Sequence, residues 1–146
     1  MLRKINQIEP IFFKNDKDSL KKYINSGSWF TEHIINNKFE QRFAKLVGSK
    51  FAVTFPNGTL TLLGILLASN LKKNDTVVVP SLTMVATANV VKLSGLKLEF
   101  VDISSKNLCV NPSDLREKIK KNKSIKMLIY VNFNGRSGDL IEVKNI

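Results

Sequence analysis

Four short segments constrain this chain more than anything else in it. Lys50–Phe55, Thr76–Pro80, Leu98–Asp102 and Lys126–Val131 are apolar or β-branched nearly throughout, where a half-buried strand would alternate. A helix-length stretch separates each from the next. Strands buried on both faces and joined by such crossovers belong in a parallel sheet with helices on both sides. The predicted fold class is α/β, with at least these four strands, mostly parallel.

Spacing and punctuation mark the helices. Asp16–Asn25 puts Leu20, Tyr23 and Ile24 on one side with acidic residues at its start, and Ser26-Gly27-Ser28 ends it. Trp29-Phe30-Thr31 follows as an exposed or partner-facing aromatic pair. Asn36–Val47 carries Phe39, Phe43, Leu46 and Val47 at core spacing, with Gly48 as its C-cap. Leu60–Ala68 is apolar on nearly every face and reads as a helix packed into a core. Met84–Leu93 ends at Ser94-Gly95, and Pro112–Lys121 has its proline in the first turn, where a missing N–H costs nothing. Leu140–Ile146 begins another helix.

A chain of 146 residues suits one domain with a real core. The net charge of +11 raises the question of a nucleic-acid face. In Arg116–Lys123, however, lysines surround an apolar side bearing Leu115 and Ile119, as on a solvated surface helix, and no aromatic or glycine pattern of an RNA-binding module accompanies them. Nucleic acid is not expected as a partner. The single cysteine, Cys109, excludes an internal disulfide and a cysteine-rich metal site, and reads as a buried or half-buried small hydrophobe in a reducing cytoplasm. The start of the chain shows no signal peptide, and the longest apolar stretch, Leu60–Ala68, is too short to span a bilayer. A cytoplasmic protein without a membrane partner is expected.

Open parallel sheets bind ligands beyond the C-terminal ends of their strands. Those ends here are Pro56-Asn57-Gly58-Thr59, Pro80-Ser81-Leu82-Thr83, Asp102-Ile103-Ser104-Ser105 and Asn132–Asp139 with Arg136. At the first, a glycine turn enters an apolar helix whose initial N–H groups and dipole favour an anion, so the turn suits a phosphate; it equally suits an ordinary βα turn. Asp102 and Asp139 read either as a carboxylate pair or as caps of turns and helices. Dinucleotide, P-loop and nucleophile-elbow signatures are missing, and the lone His33 has no companions at zinc-ligand spacing.

Longer runs then resemble one family. Asn57-Gly58-Thr59, the run Asp75 to Asn89 containing Pro80-Ser81-Leu82-Thr83-Met84-Val85-Ala86-Thr87, Phe100-Val101-Asp102-Ile103, Asn107 to Leu115, and Asn134-Gly135-Arg136 with Asp139 look like the DegT-type sugar aminotransferases. Ser26 to Thr31 and Phe39-Glu40-Gln41-Arg42-Phe43-Ala44 fit as well. The resemblance implies a pyridoxal 5'-phosphate enzyme that moves an amino group, usually from glutamate, to a nucleotide-linked keto sugar. It also implies the parallel-sheet, three-layer large domain of fold-type-I aminotransferases, and a homodimer with active sites at the subunit interface. By position, Gly58, Thr59 and Leu60 would offer backbone N–H groups to the cofactor phosphate, Thr59 also its hydroxyl, and Met84 stands where an aromatic residue usually stacks on the cofactor ring.

The sequence also departs from that family. His33 and Ile34 replace the usual Gly-Pro, and a thioether at Met84 is a less rigid platform than a ring. The resemblance places the lysine that holds the cofactor, and the aspartate that pairs with its pyridine nitrogen, beyond Ile146. Residues 1–146 are accordingly expected to be the N-terminal part of the large domain, incomplete at its C-terminal end, with a helical segment over 1–48 and an alternating core over 49–146. A sugar aminotransferase half is expected, as a fragment, one half of a split gene or a decayed copy, inactive alone, with no catalytic residue of its own, and working as a homodimer or with a complementing C-terminal chain. The rival readings are a non-catalytic binding or assembly module on the same fold and a lysine-rich nucleic-acid-binding domain.

Overall fold

The computed structural model describes residues 9–27, 29 and 34–146. It divides into two compact units, Met1–Thr54 and Phe55–Ile146.

The first unit is built on α1 (Asp16–Asn25) and α2 (Ile34–Val47). Local chemistry sets the ends of α1: the Phe13 N–H donates to Asp16 Oδ2 at 2.7 Å, Asp16 and Asp18 sit in the first turn, and Lys22 sits in the last. Gly48, at φ 70°, follows α2 as the expected cap, and the Ser49 N–H reaches back to the Ala44 carbonyl at 2.9 Å. Trp29 is exposed, while Ser28, Phe30, Thr31 and His33 lie outside the described residues, as does the start of the chain.

Segment 50–55, expected as the first strand, forms no ladder. An apolar extended run becomes a strand only where a neighbour takes its N–H and C=O groups. Among the described residues no strand does so, and Phe51 and Val53 are exposed. Instead the Thr54 N–H and hydroxyl both donate to Glu40 Oε1 at 2.8 Å, which holds the Glu40 carboxyl below its ordinary pKa.

The second unit is the α/β body. Its elements are α3 (Gly58–Ala68), β1 (Thr76–Pro80), α4 (Val85–Leu93), β2 (Lys97–Val101), α5 (Pro112–Lys121), β3 (Ile125–Leu128) and α6 (Leu140–Lys144). The three strands are parallel in the order β2-β1-β3, so the expected sheet is present without the 50–55 segment. Each β1 residue is buried, and alternate side chains serve opposite cores. Val77 and Val79 pack with Leu66 of α3 and Val90 and Val91 of α4. Val78 packs with Val101, Val110, Leu115 of α5 and Val143 of α6. Helices on both faces make the three layers. On α5, Leu115 is buried while Arg116 pairs with Glu142 at 3.2 Å and Lys121 with Glu117 at 3.4 Å, the solvated charged face read from the sequence.

The two sides of β1 end differently. Toward β2 the ladder runs on past the strand, with Ser81 N–H donating to the Val101 carbonyl at 2.9 Å. Toward β3 its last bond is from Ile129 N–H to the Val78 carbonyl at 2.9 Å. The next donor in that series would be residue 80, and Pro80 has no N–H.

Candidate functional site

The site is built at the start of α3. Asn57 is extended (φ −163°, ψ 167°), and its Oδ1 accepts the Leu60 N–H at 3.0 Å, which caps the helix. The Asn57 carbonyl accepts both the Thr61 N–H and the Thr61 hydroxyl at 3.1 Å. The N–H groups of Gly58 and Thr59, and the Thr59 hydroxyl, have no partner among the described residues. No acidic residue stands in this first turn, so the positive end of the helix dipole is not neutralised locally. A Cβ added at Gly58 would meet nothing within 4 Å.

Of the three backbone donors expected here, two are therefore free and the third is engaged. Asn57 is the residue that sequence reasoning passed over. An asparagine directly before a helix-opening glycine is a capping signal, and the cap takes Leu60.

Met84 sits just before α4, at φ −60° and ψ 136°, and is 76% exposed. Thr83 Oγ1 and the buried Thr87 hydroxyl lie 2.9 Å apart, and the Thr87 N–H donates to the Met84 carbonyl at 2.9 Å, so the backbone at Met84 is held while its side chain stays open. Helices α3 and α4 share one core, and both begin toward the C-terminal edge of the sheet.

The loop after β3 is pinned from behind. Tyr130 donates its hydroxyl to the Ser137 carbonyl at 2.7 Å, and the buried Cys109 thiol lies 3.5 Å from the Arg136 carbonyl. Asn107 Nδ2 donates to Asp139 Oδ2 at 3.2 Å. Gly138, at φ 53°, lies so close that a Cβ there would fall 2.5 Å from both Cys109 Cβ and the Tyr130 hydroxyl. Burial, then the Cys109 thiol and the Asp139 charge beside it, push the Tyr130 hydroxyl up to about 12, so it stays a neutral donor. Arg136 is left exposed, with no side-chain partner among the described residues.

Asp102 and Asp139 have separate hydrogen-bond partners. Asp102 Oδ1 accepts from the Ile103 N–H at 2.8 Å, whereas Asp139 accepts from Asn107. Asp139 makes no side-chain cap on α6.

The profile of the DegT/DnrJ/EryC1/StrS aminotransferase family matches residues 11–146. The chain belongs to this family. It is 30% identical over 138 residues to the GDP-perosamine synthases of Vibrio cholerae and Escherichia coli O157:H7, covering 94% and 92% of this chain. It spans 37% of the length of each. Among solved structures, a GDP-4-keto-6-deoxymannose-3-dehydratase with a trapped PLP-glutamate geminal diamine matches at a TM-score of 0.81 and 25% identity. That match covers 91% of this chain and 36% of the other.

The cofactor the family implies is pyridoxal 5'-phosphate. The α3 terminus fits its phosphate: two unpaired N–H groups, a free hydroxyl and open space over Gly58 face no competing carboxylate in the first turn.

Proposed function

We propose that this chain is the phosphate-anchoring part of a pyridoxal-phosphate-dependent sugar aminotransferase, one that moves an amino group from an amino acid such as glutamate to a nucleotide-linked keto sugar. The observation that carries the reading is the pair of free N–H groups at Gly58 and Thr59 opening an apolar helix. Gly58 and Thr59 bind the phosphate, with the Thr59 hydroxyl adding a hydrogen bond to a charged oxygen. Leu60 joins them if the Asn57 side chain turns away. Met84 presents its thioether toward a ring face and limits its sliding. Bound there, the cofactor supplies an electron sink for removing and adding the amino group.

The chain by itself is proposed to lack turnover, because the resemblance assigns the cofactor-holding lysine and the pyridine-facing aspartate to residues outside the matched stretch. The same reading takes the protein as cytoplasmic and as working as a homodimer or with a complementing C-terminal chain; the chain spans 37% of the length of the relatives it matches.

Titration of the purified chain with pyridoxal phosphate, read by visible absorbance, tests the anchor. Borohydride reduction and peptide mapping then test for turnover chemistry. Weak binding that falls about tenfold on Thr59→Val, and further on Gly58→Val, is expected, since a hydrogen bond to a charged group is worth ~1.5 kcal/mol or more. Unchanged affinity in both variants rejects the anchor. One stoichiometric labelled lysine with glutamate-dependent spectral conversion rejects the inactivity.

A further inference from the structure

We propose that the outer edge of β2 pairs antiparallel with the same edge of a second copy of this chain, with Leu98 on the two-fold axis. The inference is independent of the cofactor site.

Strand β2 lies at the end of the sheet, with β1 on one side only. Its pairing shows which backbone groups are spare. Lys97 N–H donates to the Asp75 carbonyl at 3.0 Å, and the Val101 carbonyl accepts from Ser81, so the odd-numbered residues face β1. In a strand the even-numbered ones then point the other way. The N–H and C=O groups of Leu98 and Phe100 are turned outward, and the Leu96 carbonyl with them. Nothing among the described residues covers them: an open groove of about 720 Å³ follows this edge, lined by Lys92, Gly95, Leu96, Lys97, Phe100 and Asn122.

Edge strands commonly carry lysine to discourage such pairing. Here Lys97 is followed two residues later by Glu99, on the same side of the sheet. That spacing makes the edge complementary to itself in one register. With Leu98 facing Leu98 of the copy, each Lys97 lies directly opposite a Glu99. These are the non-hydrogen-bonded positions, where side chains approach most closely. Leu98 N–H and C=O exchange bonds across the axis, and Phe100 N–H meets the spare Leu96 carbonyl on either side.

Neighbouring registers do not share this match. Centring on Glu99 sets two carboxylates face to face, and centring on Phe100 leaves Lys97 without a partner. Lys97 has no ion-pair partner among the described residues, whereas Glu99 lies 3.9 Å from Lys118 and 2.8 Å from Asn122 Nδ2. The ammonium is thus the group left to be satisfied by the copy. The contact is isologous and closes at two copies.

Sedimentation over a concentration series, together with residue-resolved amide exchange, tests the edge. Lys97→Glu and Glu99→Lys should each raise the dimer dissociation constant tenfold or more. An equimolar mixture should restore it, because one variant then presents two acids and the other two bases. Lys97 is exposed, so Lys97→Glu carries the test alone if Glu99→Lys does not fold. The Leu98 and Phe100 amides should exchange more slowly as concentration rises. Association unchanged in Lys97→Glu, a mixture no tighter than its components, or Leu98 exchange independent of concentration would each overturn the proposal. That last result is what association through other apolar surfaces gives.

Discussion

The ring of Phe55 occupies the space that a side chain on Gly64 would need. A Cβ at Gly64 would stand 2.6 Å from Phe55 Cζ and 2.9 Å from Cε1. Glycine inside a helix ordinarily costs about 1 kcal/mol relative to alanine. Gly64→Ala should therefore gain nothing, or lose stability, in the native background. In a Phe55→Ala background the same change should stabilise by about 1 kcal/mol. Urea unfolding of the four proteins in this cycle checks the coupling.

Asn57→Ala separates the cap from the anion site. Removing the acceptor of the Leu60 N–H should cost about 1 kcal/mol of stability. It also releases a third N–H toward the site, so affinity for inorganic phosphate should not fall. Thermal unfolding and a phosphate titration on the same variant read the two effects separately.

Two glycines should differ sharply in their response to alanine. Gly138→Ala meets both a left-handed backbone and the Cys109 and Tyr130 atoms, and should cost about 3 kcal/mol or more. Gly58→Ala points into open space and should change stability by less than about 0.5 kcal/mol. Denaturant midpoints distinguish them.

Tyr130 sets a dependence on high pH. Its hydroxyl is raised from the ordinary value to about 12, mainly by burial, so the folded state holds this proton more tightly than the unfolded one. The stability it adds is fully present below about pH 10, where the unfolded tyrosine is still neutral, and is lost as pH rises toward about 12. Tyr130→Phe should flatten that decline. Unfolding free energies of both proteins between pH 9 and about 12 measure the difference.

What the sequence made legible was mostly local. The bounds of α1 and α5 agree with the expectation because an acidic first turn and a proline at the start act within one turn of chain. Strand β1 was legible because burial on both faces leaves an unbroken apolar run. Segment 50–55 is also largely apolar and is not a strand among the described residues, since ladder partners are chosen far along the chain. At the candidate site, the turn at Gly58 and Thr59 marks a helix start that suits an anion or an ordinary βα turn alike. That the Asn57 side chain would hold Leu60 depends on one rotamer, which composition does not reveal. The clamp on the 132–139 loop joins Cys109, Tyr130 and Gly138, residues that come together only once β3 and the 102–111 connection are in place.

Pro80 makes the central strand behave as a zip with a stop on one row of teeth. Ser81 carries the fastening one step further on the β2 side, while on the β3 side it halts at Ile129 for want of a single hydrogen atom. Past that point β1 is fastened on the β2 side alone. Where that row stops is therefore written into the ring chemistry of one residue, and a donor at position 80 would add one rung on the β3 side.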